Sequence, residues 1–331
     1  MKVLVSGSAG HLGEALVRTL HRQGHAVVGA DVVQSPFTTH VGSIACRDVA
    51  RACMRGVEAV LHTATLHKPH VVTHSRQAFV DANITGTLSL LEEAVAANVR
   101  AFVFTSTTSA FGNALTPPPG EPAAWITEKV EPQPRNIYGV TKTAAEDLCQ
   151  LFSRNQGLSC LVLRTSRFFP EPDDNEVARR SHADANLKAN EFLYRRVDIA
   201  DVVSAHLLAL ERAPELRFDK FIISATTPFT RTDLADLRSD TAAVMRRRVP
   251  RFEPVYTAMG WSTPTDIDRV YVNERARSRL GWNPQFDFER ILWHLERGED
   301  PRSGLARLIG AKGYHGEQSF GDVPYPVGHA R

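Results

Sequence analysis

The feature that most constrains the fold is a glycine-rich turn near the start of the chain. Gly7, Gly10 and Gly13 follow an apolar run at residues 1–6 and open an amphipathic helical pattern. A second apolar run follows at residues 26–30, which gives a β-α-β unit of about 30 residues. Glycines in this position allow a tight turn and let the backbone approach a pyrophosphate group at the helix N-terminus.

The rest of the chain continues this alternation of strands and helices. Further strands and helices are predicted, in chain order, at residues 59–61, 83–97, 101–105, 138–152, 160–163, 202–210 and 221–223. Alternation of this kind predicts a parallel sheet that is covered by helices on both faces. The expected fold class is therefore α/β, a Rossmann-type doubly wound parallel sheet with a smaller mixed C-terminal substrate domain.

The pattern loosens in two segments, which we expect to form the smaller domain over one edge of the sheet. Residues 170–196 are polar and helical in character, and the chain after residue 226 mixes loops, short helices and aromatic side chains. The predicted dinucleotide-binding domain comprises 1–169 plus 197–225, and the substrate-binding domain comprises 170–196 plus 226–331. The stretch after Gly313 suggests no function.

Composition excludes several classes of partner. The net charge of +2 over 331 residues is too small to indicate nucleic-acid binding, and no apolar run reaches the roughly 18 residues that span a membrane. The four cysteines show no Cys-x-x-Cys spacing, so neither a metal site nor a disulfide framework is expected. With a strand that starts at residue 2, no signal peptide is expected. These features predict a cytoplasmic protein that acts on a small molecule.

Asp31 follows the second apolar run and bears on the choice of dinucleotide. A carboxylate at this position accepts hydrogen bonds from the adenosine ribose hydroxyls and repels a 2′-phosphate. The next four residues, 32–35, contain no cation that could hold such a phosphate. The sequence therefore favours NAD over NADP, and a simple cap or turn role for Asp31 is the alternative.

Tyr138 and Lys142 form a candidate catalytic pair. Their spacing of four places the phenol and the ammonium on one helical face. A nearby ammonium lowers the pKa of a phenol, which is otherwise about 10, and Lys142 could also bond the ribose next to the nicotinamide. Upstream, the hydroxyl residues 105–108 end a strand, where they can polarise a substrate oxygen. Tyr138 would then move a proton while the nicotinamide takes or gives a hydride.

Taken together, these motifs resemble the extended short-chain dehydrogenase/reductases, the NAD-dependent sugar epimerase/dehydratase family. The resemblance covers about residues 1 to 295. It rests on Gly7-x-x-Gly10-x-x-Gly13, His62-Thr63-Ala64, Asn83-Ile84-Thr85-Gly86-Thr87, Phe104-Thr105-Ser106-Thr107, Phe111-Gly112, Tyr138-x-x-x-Lys142, Leu163-Arg164, Asp198-Ile199-Ala200-Asp201-Val202 and Leu280-Gly281-Trp282-Asn283-Pro284.

The resemblance implies roles for individual residues. Tyr138 is the expected acid/base, Lys142 its partner, and Thr107 the catalytic hydroxyl. Asn83 is expected to contact the cofactor or to brace the site through its helix. The implied NAD-binding residues are Gly7, Gly10, His11, Leu12, Gly13, Asp31, Ser43, Ile44, Thr63, Ala64, Thr65, Asn83, Tyr138, Lys142 and Ser166. The family often dimerises through two helices per subunit, so a homodimer through the helices at 83–97 and 138–152 is expected.

Some positions depart from the family pattern. Dehydratases carry an Asp-Glu pair where this chain has Thr108 and Ser109, so a 4,6-dehydratase is disfavoured. Ser43 replaces the Asp that contacts adenine in the family. Arg167 replaces the Asn of the segment that feeds a sugar-nucleotide diphosphate, and the Arg-Asp-Tyr lead-in to a later helix reads Tyr-Arg-Arg at 194–196.

The added arginines suggest that the substrate carries an anionic group, a carboxylate or a phosphate. The residues expected to bind substrate are Thr107, Thr108, Arg167, Arg195, Arg196 and Arg269. The alternative is that the arginines pair with Asp173, Asp174 or Asp184, and that Arg269 makes a surface ion pair.

Three functions remain open. The first is an NAD-dependent epimerase or dehydrogenase acting at a carbinol carbon of a sugar or sugar derivative, nucleotide-linked or otherwise anionic. The second is an NAD(P)H-dependent reductase of a non-sugar ketone or aldehyde. The third is a non-catalytic NAD-binding protein, which we expect to lack the tyrosine or the lysine.

Overall fold

A computed structural model describes residues 1–173 and 176–313 of the chain. Its main sheet has seven strands, all parallel, in the order β3-β2-β1-β4-β5-β7-β8, and a second sheet pairs β6 with β9. The strands are β1 (Lys2–Ser6), β2 (Ala26–Asp31), β3 (His40–Val41), β4 (Ala59–His62), β5 (Ala101–Thr107), β6 (Ala124–Ile126), β7 (Cys160–Thr165), β8 (Phe218–Ile223) and β9 (Arg269–Tyr271).

Twelve α-helices lie within these described ranges. They are α1 (His11–Arg22), α2 (Arg47–Cys53), α3 (Arg76–Phe79), α4 (Gly86–Ala96), α5 (Ile137–Gln156), α6 (Glu176–Ser181), α7 (Asp184–Glu191), α8 (Ile199–Leu216), α9 (Thr241–Arg248), α10 (Phe252–Met259), α11 (Phe288–Leu295) and α12 (Gly304–Ile309). The described part contains no helix with the length and apolar content needed to cross a membrane.

Side chains that alternate along each strand build two cores, one on each face of the main sheet. Val3 and Val5 of β1 pack on the face that carries α1 and α8, whereas Leu4 packs on the face that carries α2, α4 and α5. All three side chains have no solvent exposure. Burial of each such side chain contributes about 1.5–3 kcal/mol, so both layers of helices are held to the sheet. The predicted fold class is confirmed.

Local signals shift several predicted boundaries. The helix predicted at 83–97 is a π-helical turn at Val80–Thr85 that continues into α4. The helix predicted at 202–210 begins earlier, because the Asp198 side chain accepts a hydrogen bond from the Ala200 amide (2.8 Å) and caps α8. The strand predicted at 221–223 is the end of β8.

The sequence pattern missed the two-stranded sheet. In it, Ala124 of β6 pairs with Arg269 of β9, and Ile126 pairs with Tyr271. A third core, which includes Phe252, Val270 and Phe288, lies around these strands. The pairing places β9 beside the main cleft, where Arg269 and Tyr271 line the wall. The division into two domains stays a prediction.

Candidate active site

A cleft of about 470 Å³ lies at the carboxyl ends of β1, β2, β4, β5 and β7. Ligands of open parallel sheets bind at this edge of the strands. Most of the residues expected to bind cofactor or substrate line it: Gly7, Gly10, His11, Leu12, Gly13, Asp31, Ser43, Ile44, Thr63, Ala64, Thr65, Thr107, Thr108, Tyr138, Lys142, Ser166, Arg167, Arg195 and Arg269.

The glycine-rich turn forms a cradle that other residues would fill. Gly7 has a φ of +77°, and a Cβ on it would lie 2.7 Å from the Ala64 amide nitrogen. A Cβ on Gly13 would lie 1.8 Å from the Gly7 carbonyl oxygen. Gly10 is the N-cap of α1, and no side chain of the described residues caps this helix end. The cradle and the uncapped amides of α1 therefore fit a pyrophosphate.

Asp31 stands at the end of β2 and faces the same cleft. Its carboxylate accepts hydrogen bonds from the Ala9 amide (2.9 Å) and from the Val33 amide (3.0 Å). The side chain is thus held in place, and each carboxylate oxygen keeps a lone pair for a further donor. This arrangement fits two ribose hydroxyls and supports the sequence-based preference for NAD.

Thr107, Tyr138 and Lys142 meet in the middle of the cleft. Thr107 ends β5, while Tyr138 and Lys142 lie in the first turns of α5, which begins after Asn136 caps the Gly139 amide (3.1 Å). The Lys142 Nζ lies 4.0 Å from the centre of the Phe104 ring, which provides a cation–π contact. The three side chains are almost fully buried, so the protein holds them in a preorganised arrangement.

Burial dominates the ionisation of this group. Burial raises the pKa of Tyr138 to about 12, although the Thr107 hydroxyl bonds the phenol and acts in the opposite direction. Burial also lowers the pKa of Lys142 to about 7, against the smaller opposing effects of Cys149 and Glu146. For Tyr138 desolvation is the larger of the two effects, and the opposing one comes from Thr107, so electrostatic assistance by Lys142 stays a prediction.

Asn83 was expected to bind cofactor, but it does not line the cleft in the described structure. Its side-chain Oδ1 accepts hydrogen bonds from the Thr65 hydroxyl (3.0 Å) and the Leu66 amide (2.8 Å). Its amide group donates to the Leu66 carbonyl (2.9 Å) and the Thr141 hydroxyl (3.0 Å). Asn83 therefore braces the loop after β4 against α5, the structural role that the sequence also allowed.

Arg196 is also expected to bind substrate, but it does not line this cleft. The side chain is buried, pairs with Glu191 (3.0 Å) and donates to the Phe169 carbonyl (3.0 Å). A parallel bridge between Arg167 and Arg196 places the two residues side by side, and only Arg167 lines the cleft. Arg195 lies in the turn that follows α7 and lines the cleft, whereas Arg196 is held away from the cleft by Glu191 and the Phe169 carbonyl.

The arginines that line the cleft also make ion pairs. Arg167 and Arg195 share the Asp173 carboxylate, at 3.2 and 3.0 Å, and Arg269 pairs with Asp268 at 2.7 Å. Of the two other acids considered as partners, Asp184 pairs with Lys188, and Asp174 lies outside the described residues. These three arginines therefore line the cleft and make ion pairs at the same time. The ion pairs hold their guanidinium groups in place at the substrate end.

One part of the cleft lining is rich in histidines that no sequence motif predicts. His67, Lys68, His70 and His74 line the cleft after the end of β4. The His70 Nδ1 accepts the His67 amide (3.0 Å), while the His67 side chain accepts the His70 amide, so the rings cap each other's backbone. The available signal was the density of histidines, four within residues 62–74.

Fold and site together are those of a dinucleotide-binding α/β protein, with a glycine-rich turn at the edge of a parallel sheet and a buried tyrosine and lysine in the same cleft. The model of the NAD dependent epimerase/dehydratase family matches residues 3–218, and the chain belongs to this family. NAD is accordingly its cofactor, and the chain is an enzyme of this NAD-dependent class.

Two relatives and one solved structure are similar to the chain over most of its length. The chain is 24% identical over 323 residues to a UDP-glucose 4-epimerase of Lactobacillus helveticus, covering 87% of this chain and 93% of the relative. It is also 24% identical over 336 residues to a 3-beta-hydroxysteroid dehydrogenase of Mycolicibacterium neoaurum, covering 88% and 89%. A short-chain dehydrogenase/reductase superfamily protein of Agrobacterium tumefaciens, solved with bound NAD, shares the fold with a TM-score of 0.63, 24% identity and coverage of 93% and 99%.

Proposed function

We propose that this enzyme is an NAD-dependent epimerase or dehydrogenase that transfers a hydride at a carbinol carbon of an anionic sugar derivative. The observation that carries the proposal is the position of Thr107, Tyr138 and Lys142. They lie in one cleft between the glycine-rich turn and the wall that carries Arg195 and Arg269. A cofactor on the first side and a substrate on the second would meet at the phenol.

The residues that would hold NAD follow from the cradle. The amides at the start of α1 would bind the pyrophosphate, Asp31 would accept hydrogen bonds from the adenosine ribose hydroxyls, and Lys142 would bind the second ribose. NAD supplies the acceptor for the hydride. The side chains of the protein position the cofactor and the substrate and transfer one proton.

Tyr138 acts as the acid/base, and Lys142 assists it electrostatically. A buried phenol with a pKa of about 12 holds its proton at neutral pH, so it is ready to protonate a carbonyl oxygen. In the oxidation direction, the phenol must first lose that proton, and an ammonium at Lys142 stabilises the phenolate. Thr107 donates to the same substrate oxygen and fixes its position.

The substrate end of the cleft supports an anionic substrate. Arg167, Arg195 and Arg269 line the cleft, together with His67 and His70. A guanidinium that its own carboxylate already holds in place presents its remaining N–H groups with little loss of entropy. Thr108 and Ser109 provide hydroxyls instead of the acid pair of dehydratases, so simple epimerisation or oxidation is favoured over dehydration.

A second candidate is a dehydrogenase of an apolar alcohol or ketone. Phe168 and Phe169 line the cleft beside the arginines, and their ring centres lie 4.3 Å apart. One relative is a steroid dehydrogenase by name. A panel of substrates should therefore contain a hydroxysteroid next to neutral and anionic sugars, including nucleotide sugars.

The first experiment identifies the nucleotide that the purified protein releases on denaturation. Stoichiometric NAD would favour an epimerase that regenerates its own cofactor, whereas an empty protein would favour a dehydrogenase that exchanges it. The substrate panel is then followed by NADH absorbance and by analysis of epimeric products.

The test of the mechanism is Tyr138→Phe, which should lower turnover by about 10²–10⁴-fold and leave NADH binding near normal. Tyr256→Phe is the matched control, because this buried phenol donates to Asn190 (2.8 Å) outside the cleft lining. If Tyr138→Phe turns over as fast as an active wild type, the mechanism is refuted. If the wild type turns over none of the substrates, the non-catalytic alternative is favoured.

The assembly is a separate part of the proposal. We propose a homodimer through α4 and α5, in the cytoplasm. On α5, Val140 and Leu151 are exposed apolar side chains, at 46% and 36%. Light scattering that gives the mass of one chain would contradict the dimer.

A further inference from the structure

A lysine far along the chain lies against the glycine-rich turn. The Lys312 Nζ donates to the Ala9 carbonyl oxygen at 2.8 Å and also contacts the Glu14 carboxylate. Ala9 belongs to the turn, Glu14 to the first turn of α1, and the neighbouring Gly313 lines the cleft. This contact joins residues 303 positions apart, and no motif of the turn itself requires it.

Both backbone polar groups of Ala9, in the middle of the turn, are thereby fixed. The Ala9 amide donates to Asp31 (2.9 Å), and its carbonyl accepts from Lys312. The Gly10 amide donates to the Gly7 carbonyl (3.1 Å), which closes the turn. The amides at the start of α1 are left to face a ligand, so Lys312 holds the part of the turn that orients them.

A second anchor ties the same segment to the loop after β7. One carboxylate oxygen of Glu171 lies 2.8 Å from the His11 Nε2 and accepts the amides of Lys312 (3.1 Å) and Gly313 (3.2 Å). Glu171 is buried, and although burial raises its pKa, the bonds from His11 and Lys312 lower it overall. The carboxylate is therefore anionic and joins three separate parts of the chain.

Lys312 also balances negative charge near the start of α1. Glu14 is buried and negative near a helix end that attracts anions. Lys312 and Arg18 are its cationic partners, with Arg18 at 2.7 Å. If Lys312 is removed, part of the Glu14 charge stays uncompensated close to the place of the pyrophosphate and repels it.

We propose that Lys312 and Glu171 form a clasp that positions the glycine-rich turn for the pyrophosphate of NAD. Both are positioning residues, because they act through the turn. The inference rests on the proposed binding of NAD at this turn, and it assigns part of the cofactor affinity to residues outside the turn.

The test compares the Kd for NADH of the wild type and of variants, each measured after bound nucleotide has been removed. Lys312→Met should raise the Kd for NADH about 10-fold or more, whereas Lys312→Arg, which keeps the charge and the donors, should stay close to the wild type. Glu171→Gln keeps an acceptor oxygen and should show a smaller rise. Lys2→Met is the matched control, because Lys2 donates to the Arg55 carbonyl (2.7 Å) at the edge of the same domain.

Two further measurements separate a clasp from general damage. ADP-ribose contains the pyrophosphate, so its Kd should rise by the same factor as that of NADH, whereas the Kd for adenosine should not change. The melting temperature of the ligand-free Lys312→Met protein should match that of Lys2→Met. A Kd for NADH within twofold of the wild type, or an equal loss for adenosine, overturns the clasp. A wild-type protein that binds no NADH refutes the proposed site itself.

Discussion

The Arg164 Nη2 lies 2.6 Å from the Glu146 Oε2, in a buried ion pair directly beneath the proposed catalytic residues. Glu146 is one helical turn after Lys142, and it also accepts the Ser106 hydroxyl at 2.6 Å. Ser106 immediately precedes Thr107. One carboxylate therefore links α5 to β5 and β7, and fixes the distance between the two elements that carry the catalytic group.

Removal of one partner of this pair should be strongly destabilising. Glu146→Leu leaves the guanidinium of Arg164 buried without its carboxylate, and we expect the free energy of unfolding to fall by about 3–5 kcal/mol. Urea denaturation measures the change. The double variant Glu146→Leu/Arg164→Met removes both charges and should lose less than Glu146→Leu alone. A double variant as unstable as the sum of both single variants would contradict this account.

The parts of the site that the sequence predicts are those that local rules determine. The spacing of the glycines requires a tight turn, and a spacing of four places Tyr138 and Lys142 on one face of a helix. These rules act within a few residues, so they do not depend on the rest of the fold. The end of β2 at Asp31 follows from a single apolar run.

The parts that the sequence does not predict depend on contacts between distant segments. β6 and β9 have three residues each and pair across more than 140 positions, too short for a period-2 pattern. Arg195 and Arg196 are alike in sequence, and contacts with distant residues decide that Arg195 lines the cleft while Arg196 is buried against the Phe169 carbonyl. The contact of Lys312 with Ala9 has no sequence signal for the same reason.

The buried ammonium of Lys142 should make the stability of the fold depend on pH. The unfolded chain holds this proton up to about pH 10.5, whereas burial lowers the folded pKa to about 7. Between these values the unfolded state binds more protons, so the free energy of unfolding rises with pH. Lys142→Met removes this dependence.

The measurement is urea denaturation of both proteins from pH 6 to pH 10. The stability advantage of Lys142→Met over the wild type should be largest below pH 7. It should shrink by an amount on the order of a few kcal/mol as the pH approaches 10. Lys2→Met, which changes a partly exposed lysine outside the cleft lining, should track the wild type throughout. Parallel curves for Lys142→Met and the wild type would show that burial does not shift the pKa.

Asp31 should set the preference for NAD over NADP. Asp31→Asn removes the charge that repels a 2′-phosphate but keeps the size of the side chain. We expect the ratio of the Kd for NADPH to the Kd for NADH to fall about 10-fold. Part of the change comes from weaker NADH binding, because the neutral amide cannot accept from both the Ala9 and Val33 amides. A ratio equal to that of the wild type would assign the preference to another group.

Arg269 should select substrates by charge. Its guanidinium lines the cleft and is held by Asp268, so Arg269→Met removes one donor group from the substrate end. For an anionic sugar substrate, kcat/KM should fall about 10–100-fold, the effect of losing a charged hydrogen bond of about 1.5–3 kcal/mol. A neutral sugar that lacks the anionic group should lose little.

The matched control is Arg238→Met, because Arg238 pairs with Asp266 at 2.9 Å outside the cleft lining. It should leave the kcat/KM of both substrates unchanged. An equal loss for neutral and anionic substrates in Arg269→Met would mean that Arg269 supports the wall through β9 and does not read the charge of the substrate. A loss confined to the anionic substrate, and expressed mainly in KM, would place the anion at this wall and would favour the sugar-acid or phosphate substrates over the apolar alcohols.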